Sequence, residues 1–201
     1  EPFVKMGLAS QTYPYALDDA LADNIFAKTN LTIAIDVTMP SSISGRKVLV
    51  GAADPSEAPR GTAIGTNPSP YVGLGMNGSN LAYITSSRGG DVYTARTTPL
   101  SVSTNYKIVY VLDKSNNTFK SYINGTLENT NSLGGSFQDF AHLATNENAK
   151  VYIGGGVVNN TTGWDVLAGQ IHSVQFFDEA LTEGIIKLLE YPTSVTYPFK
   201  T

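Results

Sequence analysis

The chain has no cysteine, so neither disulfide bonds nor thiolate-held metals contribute to it. It has only two histidines, His142 and His172, which is poor material for a zinc site, and a single tryptophan, Trp164. Charged residues are scarce at 15%, and 13 Lys plus Arg against 17 Asp plus Glu leave a formal charge of -4. That balance argues against nucleic acid or an anionic membrane surface as the main partner. No apolar run approaches the ~18 to 20 residues of a membrane helix, so no membrane insertion is expected. The opening Glu1-Pro2-Phe3-Val4-Lys5 lacks the basic-then-apolar layout of a signal peptide, so for a secreted protein the signal would be removed or lie elsewhere.

What is plentiful is Asn, Ser, Thr, Gly and Tyr, a composition suited to hydrogen-bonding neutral polar ligands. At 201 residues the chain reads as one domain, 1–201, with no internal repeat or linker. Leu31, Ile33, Ile35 and Val37 alternate with Thr32, Ala34, Asp36 and Thr38, which predicts a strand with one apolar face, ended by Pro40. Further strands are predicted at 3–8, 47–51, 71–76, 81–86, 91–97, 105–112, 118–123, 126–129 and 150–153. Turns are expected at Asn77-Gly78-Ser79-Asn80, at Asp113 to Asn117 and at Asn124-Gly125. The proline-rich stretch 52–70 reads as a long loop, and 16–26, with Leu17, Leu21 and Ile25, as a helical segment. Asn30, Asn77, Asn116, Asn124, Asn159 and Asn160 sit in Asn-x-Ser/Thr sequons, which turn chemistry explains in so Asn-rich a chain.

After Lys150-Val-Tyr-Ile153, the glycines Gly154 to Gly156 end a strand, and a polar loop from Val157 to Asp165 holds Trp164. Residues 171–177 then alternate, with His172, Val174 and Phe176 on one face and Ile171, Ser173, Gln175 and Phe177 on the other. Thr182 is the expected N-cap of a short helix carrying Ile185, Leu188 and Leu189.

This ending, with Phe176-Phe177-Asp178-Glu179-Ala180-Leu181, and the phrase Phe119-Lys-Ser-Tyr-Ile-Asn-Gly125 resemble the concanavalin A-like or laminin G-like superfamily. Within it the chain resembles the lectin-like carbohydrate-binding modules (family 40) at the N-termini of bacterial sialidases. The resemblance implies an all-β jelly roll of two antiparallel sheets with one or two short helices. It also implies an extracellular, secreted or cell-surface protein, of which this is one domain among several, binding a glycan, with terminal sialic acid as the finer expectation. Such scaffolds also serve as adhesion domains or spacers that bind protein, and a lectin is therefore weighed against a structural sandwich.

Catalysis finds little support in the residues. His172 lies inside a predicted strand, where a structural histidine is expected, and no strained serine turn accompanies either histidine. The glucanase pattern of carboxylates on alternate strand positions, Glu-x-Asp-x-x-Glu, does not occur. Asp178, Glu179 and Glu183 suit a helix start instead, and no enzyme is expected. No cofactor is called for. Structural calcium is compatible with Asp54, Asp139 and Asp165, but no spacing identifies a metal site.

The sialidase modules carry a Glu-x-Arg pair on a strand. Arg88 matches the arginine, with Ser86 where the glutamate would stand. Their second arginine lies in a Lys-Arg pair after the Gly-rich strand, where this chain has Val157 and Val158, and the aromatic that follows is kept as Trp164. The implied ligand-binding set is Arg88, Ser86, Trp164, Asn159, Asn160 and Tyr93. Arginine would pair with a carboxylate, amides and hydroxyls with the polar tail, and the aromatic with an apolar sugar face.

Overall fold

The computed structural model describes residues 1–2, 4–7, 15–17, 25, 28–53, 71–85, 92–94, 99–133, 150–158, 161–164, 167 and 169–191. They form fourteen strands and one short helix of stated bounds. The strands are β1 (Val4–Gly7), β2 (Tyr15–Ala16), β3 (Asn30–Thr38), β4 (Arg46–Ala53), β5 (Tyr71–Asn77), β6 (Asn80–Thr85) and β7 (Val92–Thr94). They continue with β8 (Asn105–Asp113), β9 (Thr118–Ile123), β10 (Thr126–Ser132), β11 (Lys150–Ile153), β12 (Gly156–Val158), β13 (Thr161–Trp164) and β14 (Gln170–Phe177), followed by α1 (Glu183–Ile186). Two six-stranded antiparallel sheets result, ordered β1-β14-β3-β8-β9-β10 and β2-β11-β4-β5-β6-β7, beside a small β12-β13 hairpin. The all-β, two-sheet architecture is the one expected.

The alternation of β3 does what its sequence promises. Leu31, Ile33, Ile35 and Val37 enter the core between the sheets, joined by Ile108, Tyr110, Leu112, Phe119, Val174 and Phe176 from the same sheet and by Leu49, Val50, Leu74, Val151 and Ile153 from the other. Tyr110 crosses this core: its ring stacks on Phe119 with centroids 5.8 Å apart, and its hydroxyl donates to the Gly75 carbonyl of β5 at 3.0 Å. Burial pushes its phenol pKa upward, because a phenolate there would lose its hydration. An internal void of about 10 Å³ between the sheets is lined by Ile25, Leu31, Ile33, Val50, Leu74, Val151 and Phe176. A space so small and apolar is packing slack, not a ligand cavity.

The turns follow residue chemistry. Asn124 and Gly125 both take positive φ, 50° and 79°, the two-residue hairpin turn that an Asn-Gly pair favours. Asn124 Oδ1 also accepts the Lys107 amide at 2.9 Å. Gly78 has φ 61° between the paired Asn77 and Asn80, so this turn is Gly78-Ser79 alone. At 113–117 the Asp113 carboxylate accepts from the Asn116 amide and side chain at 3.0 and 2.8 Å. Among the sequon asparagines, Asn116 and Asn124 thus make turn contacts.

Four details differ from the sequence-based expectation. Ala16 lies in β2, not in a helix, although Ile25 is helical and both Leu17 and Ile25 reach the core. Residues 157–165 are not simply a loop, since β12 and β13 pair there with Val158 opposite Thr161. A bulge between Ile171 and Ser173 shifts the phase of β14, so that Ile171 joins Val174 and Phe176 in the core and His172 is left half-buried at the edge. The helix lasts one turn and buries Ile186, while Ile185 and Leu188 are 47% and 80% exposed; Thr182 sits at its start without a side-chain cap bond.

Candidate ligand-binding face

The outer faces of the two sheets offer different surfaces. On the first sheet Ala34, Val109, Val111, Tyr122 and Phe177 form a second apolar layer, and Leu181 and Ile186 lie on it with Leu189 and Tyr191 against them. The strap 178–191 is tied down by polar contacts as well. Thr32 Oγ1 donates to the Glu179 carbonyl at 2.6 Å and accepts the Leu181 amide at 3.1 Å, and Gln175 Nε2 donates to the Glu190 carbonyl at 2.8 Å.

At one end of this sheet Asp36 pairs with Lys107, and Asn105 Nδ2 donates to Asp36 Oδ1 at 2.8 Å. The Lys107 ammonium lies 4.9 Å from the centre of the Tyr191 ring, a cation–π contact. Burial first, and then the Asp36 charge, push the Tyr191 phenol pKa upward. Thr38 Oγ1 and His172 Nε2 are 2.8 Å apart, so the histidine is hydrogen-bonded within the sheet, as a structural role requires. These polar groups satisfy one another and the face beneath the strap is closed.

Of the segments that the sequence singled out, Trp164 lies in the β12-β13 hairpin and Tyr93 in β7 of the second sheet. Its register forms continuous rows. Ile153, Val50, Leu74, Tyr83 and Tyr93 stand in one row, of which Ile153, Val50 and Leu74 are core residues. Tyr93 is the middle residue of the edge strand β7, paired with Tyr83 of β6. Rows on the other side of the sheet begin Tyr152, Gly51, Gly73 and Lys150, Ala53, Tyr71.

Gly75 is needed where β4 bulges between Val48 and Val50: a Cβ there would lie 2.0 Å from the Lys47 carbonyl oxygen. Past Ile153 the Gly154 amide donates to the Leu49 carbonyl at 2.7 Å with φ 77°, and the chain turns into β12, which lies against β4. Trp164 pairs with Gly156 at the end of β13.

Arg88 and Ser86 belong to the connection between β6 and β7, and Asn159 and Asn160 to that between β12 and β13; all four lie outside the described residues, as do Asp54, Asp139 and Asp165. Among the described residues no group of three His, Cys, Asp or Glu is placed to hold a metal ion, and no helix is long and apolar enough to cross a membrane.

Two facing antiparallel sheets, one face sealed by a C-terminal strap and the other bordered by a Gly-hinged hairpin, define a lectin-type β-sandwich. The family model of the concanavalin A-like lectin/glucanases superfamily (laminin G type) matches residues 18–187, and the chain belongs to that family. No curated protein matches the sequence.

Among solved structures, the carbohydrate-binding module CBM40 of the Ruminococcus gnavus IT-sialidase, bound to α2,3-sialyllactose, has a TM-score of 0.72 at 16% identity, over 94% of this chain and 98% of that one. The NanB sialidase of Streptococcus pneumoniae matches with TM-score 0.68 and 13% identity over 94% of this chain, which spans only 28% of the sialidase. Domain 4 of the Geobacillus stearothermophilus arabinanase AbnA, in complex with arabinotriose, matches 80% of this chain and 66% of that one, with TM-score 0.53 and 17% identity. At these identities the likeness is one of fold.

Proposed function

We propose that this chain is a non-catalytic carbohydrate-binding module that recognises an extracellular glycan and serves a larger secreted or cell-surface protein as its targeting domain. The observation that supports this most is end-to-end correspondence with the R. gnavus module, solved with a sialyllactose. The arabinanase domain, solved with a different sugar, adds support for glycans as the ligand class.

The finer reading is a terminal sialic acid. In it Arg88 faces the carboxylate, Trp164 packs on an apolar sugar face, and Ser86, Asn159, Asn160 and Tyr93 supply further contacts. The Arg88 and Trp164 segments would meet beside the second sheet. Val157 and Val158, paired in β12 with Thr162 and Thr161, give that site no cation from the hairpin.

Isothermal titration with sialylated and desialylated forms of one oligosaccharide tests the reading. Arg88→Ala should weaken the sialylated form about tenfold or more, the scale of a charge-assisted contact, and spare the neutral one. Trp164→Ala should weaken both through lost contact area. Failure of the folded protein to bind any sugar on a glycan array would remove the proposal, and turnover of a polysaccharide would overturn its non-catalytic part.

A further inference from the structure

We propose that Asn129 closes the exposed edge of the first sheet, β10, to strand addition, and that this keeps two copies of the chain from pairing edge to edge; the inference does not depend on what the module binds. β10 ends the order β1-β14-β3-β8-β9-β10, and among the described residues no strand pairs with its far side. The other strands at sheet ends are short among the described residues, β1 with four, β2 with two and β7 with three, whereas β10 has seven. A long open edge is a row of amides and carbonyls that a second extended chain can complete. β10 carries few of the side chains that blunt such an edge: from Thr126 to Ser132 there is no lysine, no proline and one charge, Glu128. It also lacks an apolar face to fix its register, since Asn129 and Asn131 stand opposite Ser121 and Phe119 on one side, and Thr130 and Ser132 lie on the other.

Closure comes from the backbone instead. In an antiparallel ladder, pairs that exchange both bonds alternate with pairs whose N–H and C=O point away from the partner strand. The Thr130 N–H, opposite Lys120, is one of the outward groups: its acceptor is Asn129 Oδ1 at 2.7 Å, in an exposed bond. The donor that an added strand needs at the middle of β10 is thus taken by the preceding side chain. Immediately before it the pairing shifts between Leu127 and Asn129, so Glu128 is an extra residue and the edge bends where the cap begins. Beyond the cap the strand is held in place, with Asn117 Nδ2 donating to Ser132 Oγ at 3.1 Å and the Leu133 amide to the Asn117 carbonyl at 3.1 Å. Bulge and cap together interrupt the edge at its centre, where two copies related by a twofold axis have to meet.

The test is sedimentation of wild type, Asn129→Ala and Asn129→Asp over one concentration series, with amide exchange of β10 followed in parallel. Asn129→Ala should raise the self-association constant about tenfold or more, because each copy exposes a donor that the other satisfies. Its Thr130 amide should exchange faster than in wild type when dilute and become protected as the protein is concentrated. Asn129→Asp keeps the acceptor and should match wild type in both association and Thr130 exchange. The double variant Asn129→Ala with Thr130→Pro lacks the freed donor and should return to the monomer. Asn129→Val carries the same expectation as alanine should that variant fold poorly. Equal association of wild type and Asn129→Ala overturns the proposal. Association without protection at β10 also overturns it, since the contact then lies on another surface, and so does a wild type that already pairs through β10.

Discussion

The two outer faces of the sandwich solve the same problem in opposite ways. Each sheet has residues pointing away from the shared core. The first sheet makes those residues apolar and covers them with the strap 178–191, so Val109, Val111 and Phe177 are as buried as the core itself. The second sheet thins its outer side to Gly51, Gly73 and Gly75 in the middle strands and leaves Lys150 half-exposed at one end. A face sealed with apolar side chains contributes to stability through those side chains; on the second sheet Gly51, Gly73 and Gly75 are buried with no side chain to contribute.

The sharpest way to break this contrast is through the strap. Ile186→Ala removes a buried side chain and should cost about 2–5 kcal/mol in chemical denaturation, whereas Leu188→Ala, two residues on and in solvent, should stay within about 0.5 kcal/mol. Equal costs would mean that the strap does not seal the face. On the other sheet, Gly75→Ala should destabilise by about 1–3 kcal/mol, because the added methyl meets the Lys47 carbonyl and backbone must shift. Gly45→Ala tests the alternative that any glycine would do: nothing lies within 4 Å of a Cβ there, so its cost should come from φ 62° alone and be smaller.

The smallest effect concerns the tie between the sheets. Tyr110→Phe leaves the Gly75 carbonyl without its donor and should cost about 1 kcal/mol at neutral pH. Its pH dependence carries a definite sign. A phenol whose folded pKa lies above the unfolded ~10 holds its proton more tightly when folded, so its stabilisation is complete below pH ~10 and is lost as pH rises beyond it. Wild-type melting temperature should therefore fall more steeply between pH 9 and 11 (roughly, bracketing the free phenol) than that of Tyr110→Phe.

Much of this fold was legible because its signals are local. The alternation of β3, the Asn124-Gly125 turn and the Gly154 strand end each depend on a few adjacent residues. The phase of β14 was not, since a bulge adds one residue to one strand only and nothing in the alternation around His172 marks it. The sequence predicts a short helix carrying Ile185, Leu188 and Leu189; it ends at Ile186, so Leu188 falls beyond it and stays exposed while Leu189 packs on the outer apolar layer.

The β12-β13 hairpin did leave a trace: Val157-Val158 and Thr161-Thr162 are β-branched pairs flanking two asparagines, a hairpin pattern outweighed by the polarity of the segment. Of the candidate site, only the strand pairing shows that Tyr93 stands in one register row with Ile153, Val50 and Leu74 and that Trp164 lies opposite Gly156.

The pairing of β14 has a kinetic consequence. This strand lies between β1 and β3, joining residues 173–176 to 4–7 and 170–177 to 32–38, so the centre of the first sheet is closed by nearly the whole length of the chain. During synthesis β3 can meet β8 early, but its other edge stays open until residue 177 has left the ribosome. For that interval the row of unpaired amides on Leu31 to Val37 is a template any extended segment can complete. Such long-range closure places folding in the millisecond-to-second class, and a nascent chain halted before β14 should be far more prone to associate than the finished one.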